Sequence, residues 1–121
     1  MPSQKFSRKY LARHKKSAQL WKRAAKLSPG GVESNIRYFR PHPFFADYGD
    51  GGYIYDVDGN KILDMFPGWA VSGLGHCHPA VVEALRTQAG ELLHIDNTFY
   101  SEPQGMLAKL LSERGFGGKC F

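Results

Sequence analysis

Apolar residues recur at three- and four-residue steps near the start of the chain: Tyr10, Leu11, His14, Ala18, Trp21 and Ala25, with lysines and arginines between them. That spacing predicts one amphipathic helix from Phe6 to Leu27. Ser28-Pro29-Gly30-Gly31 ends it, because proline disfavours helix in the residue before it and the glycines free the backbone. Between Phe44 and Met65 the period drops to two. Phe44–Tyr48, Tyr53–Val57 and Lys61–Met65 read as strands, with Tyr53, Tyr55 and Val57 alternating against Ile54 and Asp56. Gly49-Asp50-Gly51-Gly52 and Asp58-Gly59-Asn60 are turn chemistry, so the expectation is a β-hairpin or small antiparallel meander.

Two more helices follow. Pro79 suits the first helical position, and Val81, Val82, Leu85, Ala89 and Leu92 share one face of the helix it opens. Ser101-Glu102-Pro103-Gln104 has the form of a capping box, opening a helix over about Glu102 to Arg114. Met106, Leu107, Leu110 and Leu111 are its predicted buried stripe. Gly115, Gly117 and Gly118 end it, and Lys119-Cys120-Phe121 reads as the beginning of a strand.

Composition changes the picture mainly through charge. The chain of 121 residues carries a formal +5, but nine of its sixteen Lys and Arg lie in Met1–Lys26, which has no acid. The remainder has seven basic against eleven acidic residues, a net −4. Three readings of the basic arm stay open. A docked or capping helix is favoured, a nucleic-acid arm lacks an aromatic platform, and an organelle transit peptide is basic and acid-free in this way. With 42% hydrophobic and 13% aromatic residues the chain is globular in composition, and no apolar run reaches the roughly 20 residues that span a bilayer. Cys77 and Cys120 form neither a disulfide framework nor a metal spacing, which favours a reduced, cytoplasmic setting. Nucleic acid, membrane and metal are not expected partners.

Three places carry candidate chemistry. His76-Cys77-His78 lacks the further ligands of a metal site, and neighbours on a turn rarely meet as a Cys–His pair, so both histidines are expected to hydrogen-bond the loop. Gly30-Gly31-Val32-Glu33-Ser34-Asn35-Ile36-Arg37 lets backbone approach a ligand; Ser34 can bond an oxyanion and Arg37 can clamp a carboxylate. Spacing alone favours an ordinary helix-ending loop there. Trp69 is either core filler or an aromatic wall, the former favoured by residue type. The Asp56–Asn60 run is no EF-hand: with Gly59 sixth, the first and last ligands would be Ile54 and Met65.

These same segments resemble class-III (omega) aminotransferases, enzymes dependent on pyridoxal phosphate. Tyr53–Asn60 with Ile62-Leu63-Asp64 resembles the family's opening hairpin, and Ala70–Val82 its loop-to-helix signature. His94–Gln104 is similar to the acetylornithine and ornithine aminotransferases, whereas Gly30-Gly31-Val32-x-Ser34-x-x-Arg37 and Trp69 look like glutamate semialdehyde aminomutase. The likeness covers about residues 28–121 and is loose before that. It implies that Ser34, Arg37 and Trp69 contact substrate. It also implies that the phosphate-cradling turn, the Asp for the ring nitrogen and the Schiff-base Lys lie outside this chain, which carries no catalytic residue of its own.

The resemblance therefore predicts an α+β fragment of a fold-type-I transferase whose parent is α/β. Residues 1–28 would be a basic helical arm, and 29–121 a small-domain portion with the start of the large cofactor-binding domain. The parent, three to four times longer, would be a homodimer moving an amino group between an acetylornithine- or ornithine-like amino acid and a 2-oxo acid. Aminomutase activity, a non-catalytic truncated product and a basic-arm binding module are the alternatives.

Overall fold

The computed structural model describes residues 4–115 and 117–120. Contacts divide the chain into two units, Met1–Val82 and Glu83–Phe121.

The first unit begins with two helices where periodicity predicts one: α1 (Gln4–Arg13) and α2 (Lys15–Ala24). The break falls at His14, with φ −125° and ψ 51°. Its cause lies some forty residues on, in the turn after β2. The Asp58 carboxylate accepts the backbone N–H groups of Lys16 at 2.6 Å and Ser17 at 2.9 Å, so it caps α2 from outside. Asp58 also accepts the Ser17 hydroxyl at 2.7 Å, and Ser17 Oγ in turn accepts the Phe45 N–H at 3.2 Å. A capped N-terminus requires a non-helical residue before it, and His14 supplies it. α2 ends at Ala24, three residues short of the predicted Leu27.

β1 (Ala46–Asp50), β2 (Tyr53–Asp56) and β3 (Lys61–Leu63) form an antiparallel sheet in the order β1-β2-β3, as the turn chemistry predicts. The register slips between Ala46 and Tyr48, where an extra residue bulges β1. Tyr48 and Tyr55 stack across the first pair with ring centroids 4.5 Å apart, and Lys61 Nζ lies 3.9 Å above the Tyr53 ring. The β2–β3 turn is organised by Asp56. Its carboxylate accepts the N–H groups of Asp58 at 3.0 Å and Asn60 at 2.7 Å, and the Asn60 side-chain amide at 2.8 Å. The motif that invites a calcium reading is thus a self-closing turn whose far side grips the arm.

What is buried here is polar. Ser17 is fully enclosed, Asp56 and His42 nearly so and His14 largely so, whereas no hydrophobic side chain among the described residues is buried. His14 Nδ1 lies 2.8 Å from the Tyr10 carbonyl and Nε2 3.3 Å from Asp56 Oδ2. Each ring nitrogen of His14 thus faces an oxygen, one from its own helix and one from the β2–β3 turn. Burial pushes the Asp58 carboxyl up. The Ser17 hydroxyl, the Ser17 and Lys16 N–H groups and His14 outweigh it, so the group sits below the usual carboxylate range.

In the second unit, α3 (Pro79–Glu91, begun in the first) and α4 (Glu102–Arg114) appear where predicted. Gln104 Oε1 accepts the Ser101 N–H at 3.1 Å within the expected capping box. The predicted burial of the α4 stripe does not occur: Met106, Leu107, Leu110 and Leu111 are all exposed, as is Leu85 on α3. No described element covers them. Lys119 and Cys120 form no strand; Cys120 Sγ lies 3.5 Å from the Ala108 carbonyl, and Phe121 falls outside the described residues.

Candidate functional site

The site residues predicted from sequence sit on two loops that flank the arm. After α2, a tight turn at Pro29–Gly31 folds back against Trp21, whose indole N–H donates to the Gly30 carbonyl at 3.0 Å. A Cβ on Gly31 would come within 3.0 Å of the Trp21 ring, at a φ of +70°, so only glycine fits. A second short turn, Asn35–Arg37, follows, with Ser34 extended just before it. Arg37 Nη1 pairs with Glu33 Oε2 at 3.1 Å, both side chains largely solvated.

Trp69 lies in the other loop, between two anchors. Asp64 Oδ2 and His76 Nε2 meet at 2.9 Å, and His76 exchanges backbone hydrogen bonds with Gly51. The Phe66 N–H first, and then His76, hold the Asp64 carboxyl below its ordinary range. Within the loop Trp69 and Ala70 have φ of 62° and 64°, a left-handed conformation that costs non-glycine residues about 1–3 kcal/mol each. Trp69 is 70% exposed and tilts toward Phe66, so the described residues do not pack it into a core.

Arg37 and Trp69 line one open cleft of about 960 Å³, together with Tyr10, Arg40 and His42. Ser34 is not among its lining residues. His76, Cys77 and His78 also lie outside it. His76 bonds the loop as expected. The His78 ring does not, since its buried Nδ1 has no partner among the described residues. Cys77 and Cys120 are free and exposed, and among the described residues no cluster of metal-ligating side chains forms. Arg40 and His42 carry no motif in the sequence, and Tyr10 reads there only as an apolar helix position. The density of rings and cations from Tyr38 to Phe45 was the signal available.

The family model for aminotransferase class-III matches residues 37–121. The chain belongs to the class-III aminotransferase family. It is 45% identical over 83 residues to an acetylornithine aminotransferase of Caldanaerobacter subterraneus subsp. tengcongensis, covering 69% of this chain and 21% of that protein. It is 47% identical over 73 residues to a glutamate-1-semialdehyde 2,1-aminomutase of Thermoplasma acidophilum, covering 60% and 17%. A solved transaminase with PLP bound superposes with a TM-score of 0.75 at 31% identity, over 84% of this chain and 23% of that one. The chain thus spans about a fifth of the length of the curated relatives it matches.

The residues present do not fit the anchoring of this class-III cofactor. No lysine among the described residues lines the cleft. Lys61 rests on the Tyr53 ring, and Lys109 faces Glu113 at 3.9 Å on the surface of α4. Neither place offers the desolvating pocket that a Schiff-base lysine needs.

Proposed function

We propose that the chain is the N-terminal part of a pyridoxal-phosphate-dependent enzyme that moves an amino group from an acetylornithine- or ornithine-like donor to a 2-oxo acid. The whole protein works as a homodimer in the cytoplasm. Residues 1–28 are its helical arm, and residues 29–121 supply the small-domain strands and the start of the large domain. The cofactor carries the amino group; this part shapes the rim where substrate is bound.

The observation that carries the reading is the convergence of Arg37 and Trp69 on one cleft. A guanidinium and an indole on the walls of one cleft suit a carboxylate borne on a short carbon chain. Glu33 holds the guanidinium meanwhile through a solvated pair that a substrate carboxylate can displace, since such pairs contribute only about 0–1 kcal/mol. Ser34 directly follows Glu33, between the two members of the pair, and is proposed as a weaker contact, made once substrate is seated. In the full-length enzyme Arg37→Ala is expected to raise the substrate KM about tenfold or more, with a smaller change in kcat. Unchanged kinetics would remove Arg37 from the site.

A second reading, aminomutase activity, is favoured by the Ser34-x-x-Arg37 and Trp69 pattern and by the likeness to the Thermoplasma acidophilum aminomutase. Supplying glutamate 1-semialdehyde without any 2-oxo acid separates the two: turnover under those conditions selects the aminomutase.

A further inference from the structure

We propose that Tyr10 and His42 form a second subsite of the cleft, one that holds a non-reacting N–H group of the amino donor. The inference rests on the reading of the cleft as a substrate site, and it gives the basic arm a role there.

Both side chains line the cleft, and Tyr10 comes from α1, ahead of the region that the family model matches. The Tyr10 ring stacks on His14 with centroids 4.0 Å apart and tilts against His42 at 5.4 Å. On its other side His42 packs near Trp21 at 6.3 Å. His42 is only 4% exposed. Its Nδ1 lies 2.9 Å from the Pro43 carbonyl, which can only accept, so that nitrogen carries a proton. Nε2 is enclosed and has no partner among the described residues. In the neutral ring it is a bare acceptor beside an aromatic face. A buried polar atom left unpaired is costly and calls for a donor that the described residues do not supply.

The chemistry of the wall narrows the donor. Arg37 and Arg40 supply the cleft's cations, and Glu33 is already paired with Arg37. Burial, then Asp56 and Asp58, push the Tyr10 phenol up, so it stays uncharged. An acceptor nitrogen against an uncharged ring suits the N–H of an amide or an amine, while the carboxylate of the same molecule engages the guanidinium. The arm is fixed for this purpose from below. Asp58 and Ser17 hold α2, and Asp56 holds His14, on which Tyr10 rests.

Three donors test the inference in the full-length, cofactor-loaded enzyme. N-acetylornithine has a non-reacting amide N–H, ornithine a non-reacting ammonium, and 5-aminopentanoate neither. His42→Phe, which keeps a ring and removes the acceptor, is expected to raise KM about tenfold for at least one of the first two, as loss of one hydrogen bond would. KM for 5-aminopentanoate, and kcat for all three, should stay within about twofold. A response confined to N-acetylornithine identifies an amide site, and one confined to ornithine an ammonium site. Tyr10→Leu, which removes the ring but keeps an apolar contact with His14, should reproduce the effect, and Tyr10→Phe should not. KM values that do not move, or that move equally for all three donors, overturn the proposal. Arg37→Ala is the control. If it raises every KM while His42→Phe raises none, the subsite alone fails; if neither variant acts, the cleft reading fails with it.

Discussion

The two units of this chain use opposite means. In Met1–Val82 the segments are joined by a buried polar lock, with Ser17, Asp56 and His14 enclosed and nearly every polar atom partnered. In Glu83–Phe121 two well-formed helices carry apolar stripes that meet solvent. The difference teaches what each segment's sequence is for. The arm and hairpin are written to recognise each other, so hydrogen-bond geometry specifies their contact without a large apolar core. The later helices are written for a surface that the described residues do not provide.

The sharpest way to break that contrast is to cut the lock at Ser17. Its hydroxyl donates to Asp58 and accepts from the Phe45 N–H. Ser17→Ala leaves both partners short at an enclosed position, at a cost of about 3 kcal/mol. Urea unfolding of the full-length protein measures it. A loss below about 1 kcal/mol would mean that the arm is held by its aromatic contacts instead.

A somewhat smaller effect belongs to Gly49, which the hairpin leaves without a side chain so that His76 can lie against it. An added Cβ would sit 2.6 Å from His76 Cγ, and the ring cannot retreat freely because Asp64 holds it. Gly49→Ala should cost about 2 kcal/mol. Most of that should return in the double variant with His76→Ala, which removes the obstruction. If the double variant recovers nothing, the glycine is needed for its backbone and not for the close approach.

Acid should release the arm, but late. Asp58 is depressed in the folded state, so its contribution is complete above the unfolded carboxyl pKa, about 3.9, and is lost as pH falls through the lower folded value. Trp21 fluorescence in a Trp69→Phe background should stay flat from neutral pH to about 4 and change only below it. Asp58→Asn should remove the depressed titration. A midpoint above 5 would point to a different group.

The meander, the capping box and both later helices were legible because their causes are local: Asp-Gly-Asn at a turn, Ser-x-x-Gln before an apolar run. The break at His14 was not, because the carboxylate that caps α2 comes from Asp58, forty-one residues from Ser17. Periodicity marks His14 as one more inward position and cannot show that a cap interrupts the helix there. Arg37 and Trp69 were named on resemblance, since an Arg after a glycine loop and a lone Trp look like scaffold by themselves. Tyr10 and His42 were not legible as site residues because rings in a basic helix and a proline-rich loop read as packing until their partners are seen.

The smallest effect sharpens the comparison most. Periodicity correctly finds that Met106, Leu107, Leu110 and Leu111 share a face, but a face does not announce its cover. With Leu107 58% and Leu110 47% exposed, truncating either to alanine removes little that folding of these 121 residues had buried. Each should change the chain's stability by less than about 0.5 kcal/mol. In a full-length enzyme where the stripe is covered, the same truncations should cost about 2–5 kcal/mol, the range for buried leucines. The ratio between the two measurements reports the cover directly. Equal small values in both settings would mean that α4 keeps its leucines for a surface other than the rest of its own enzyme.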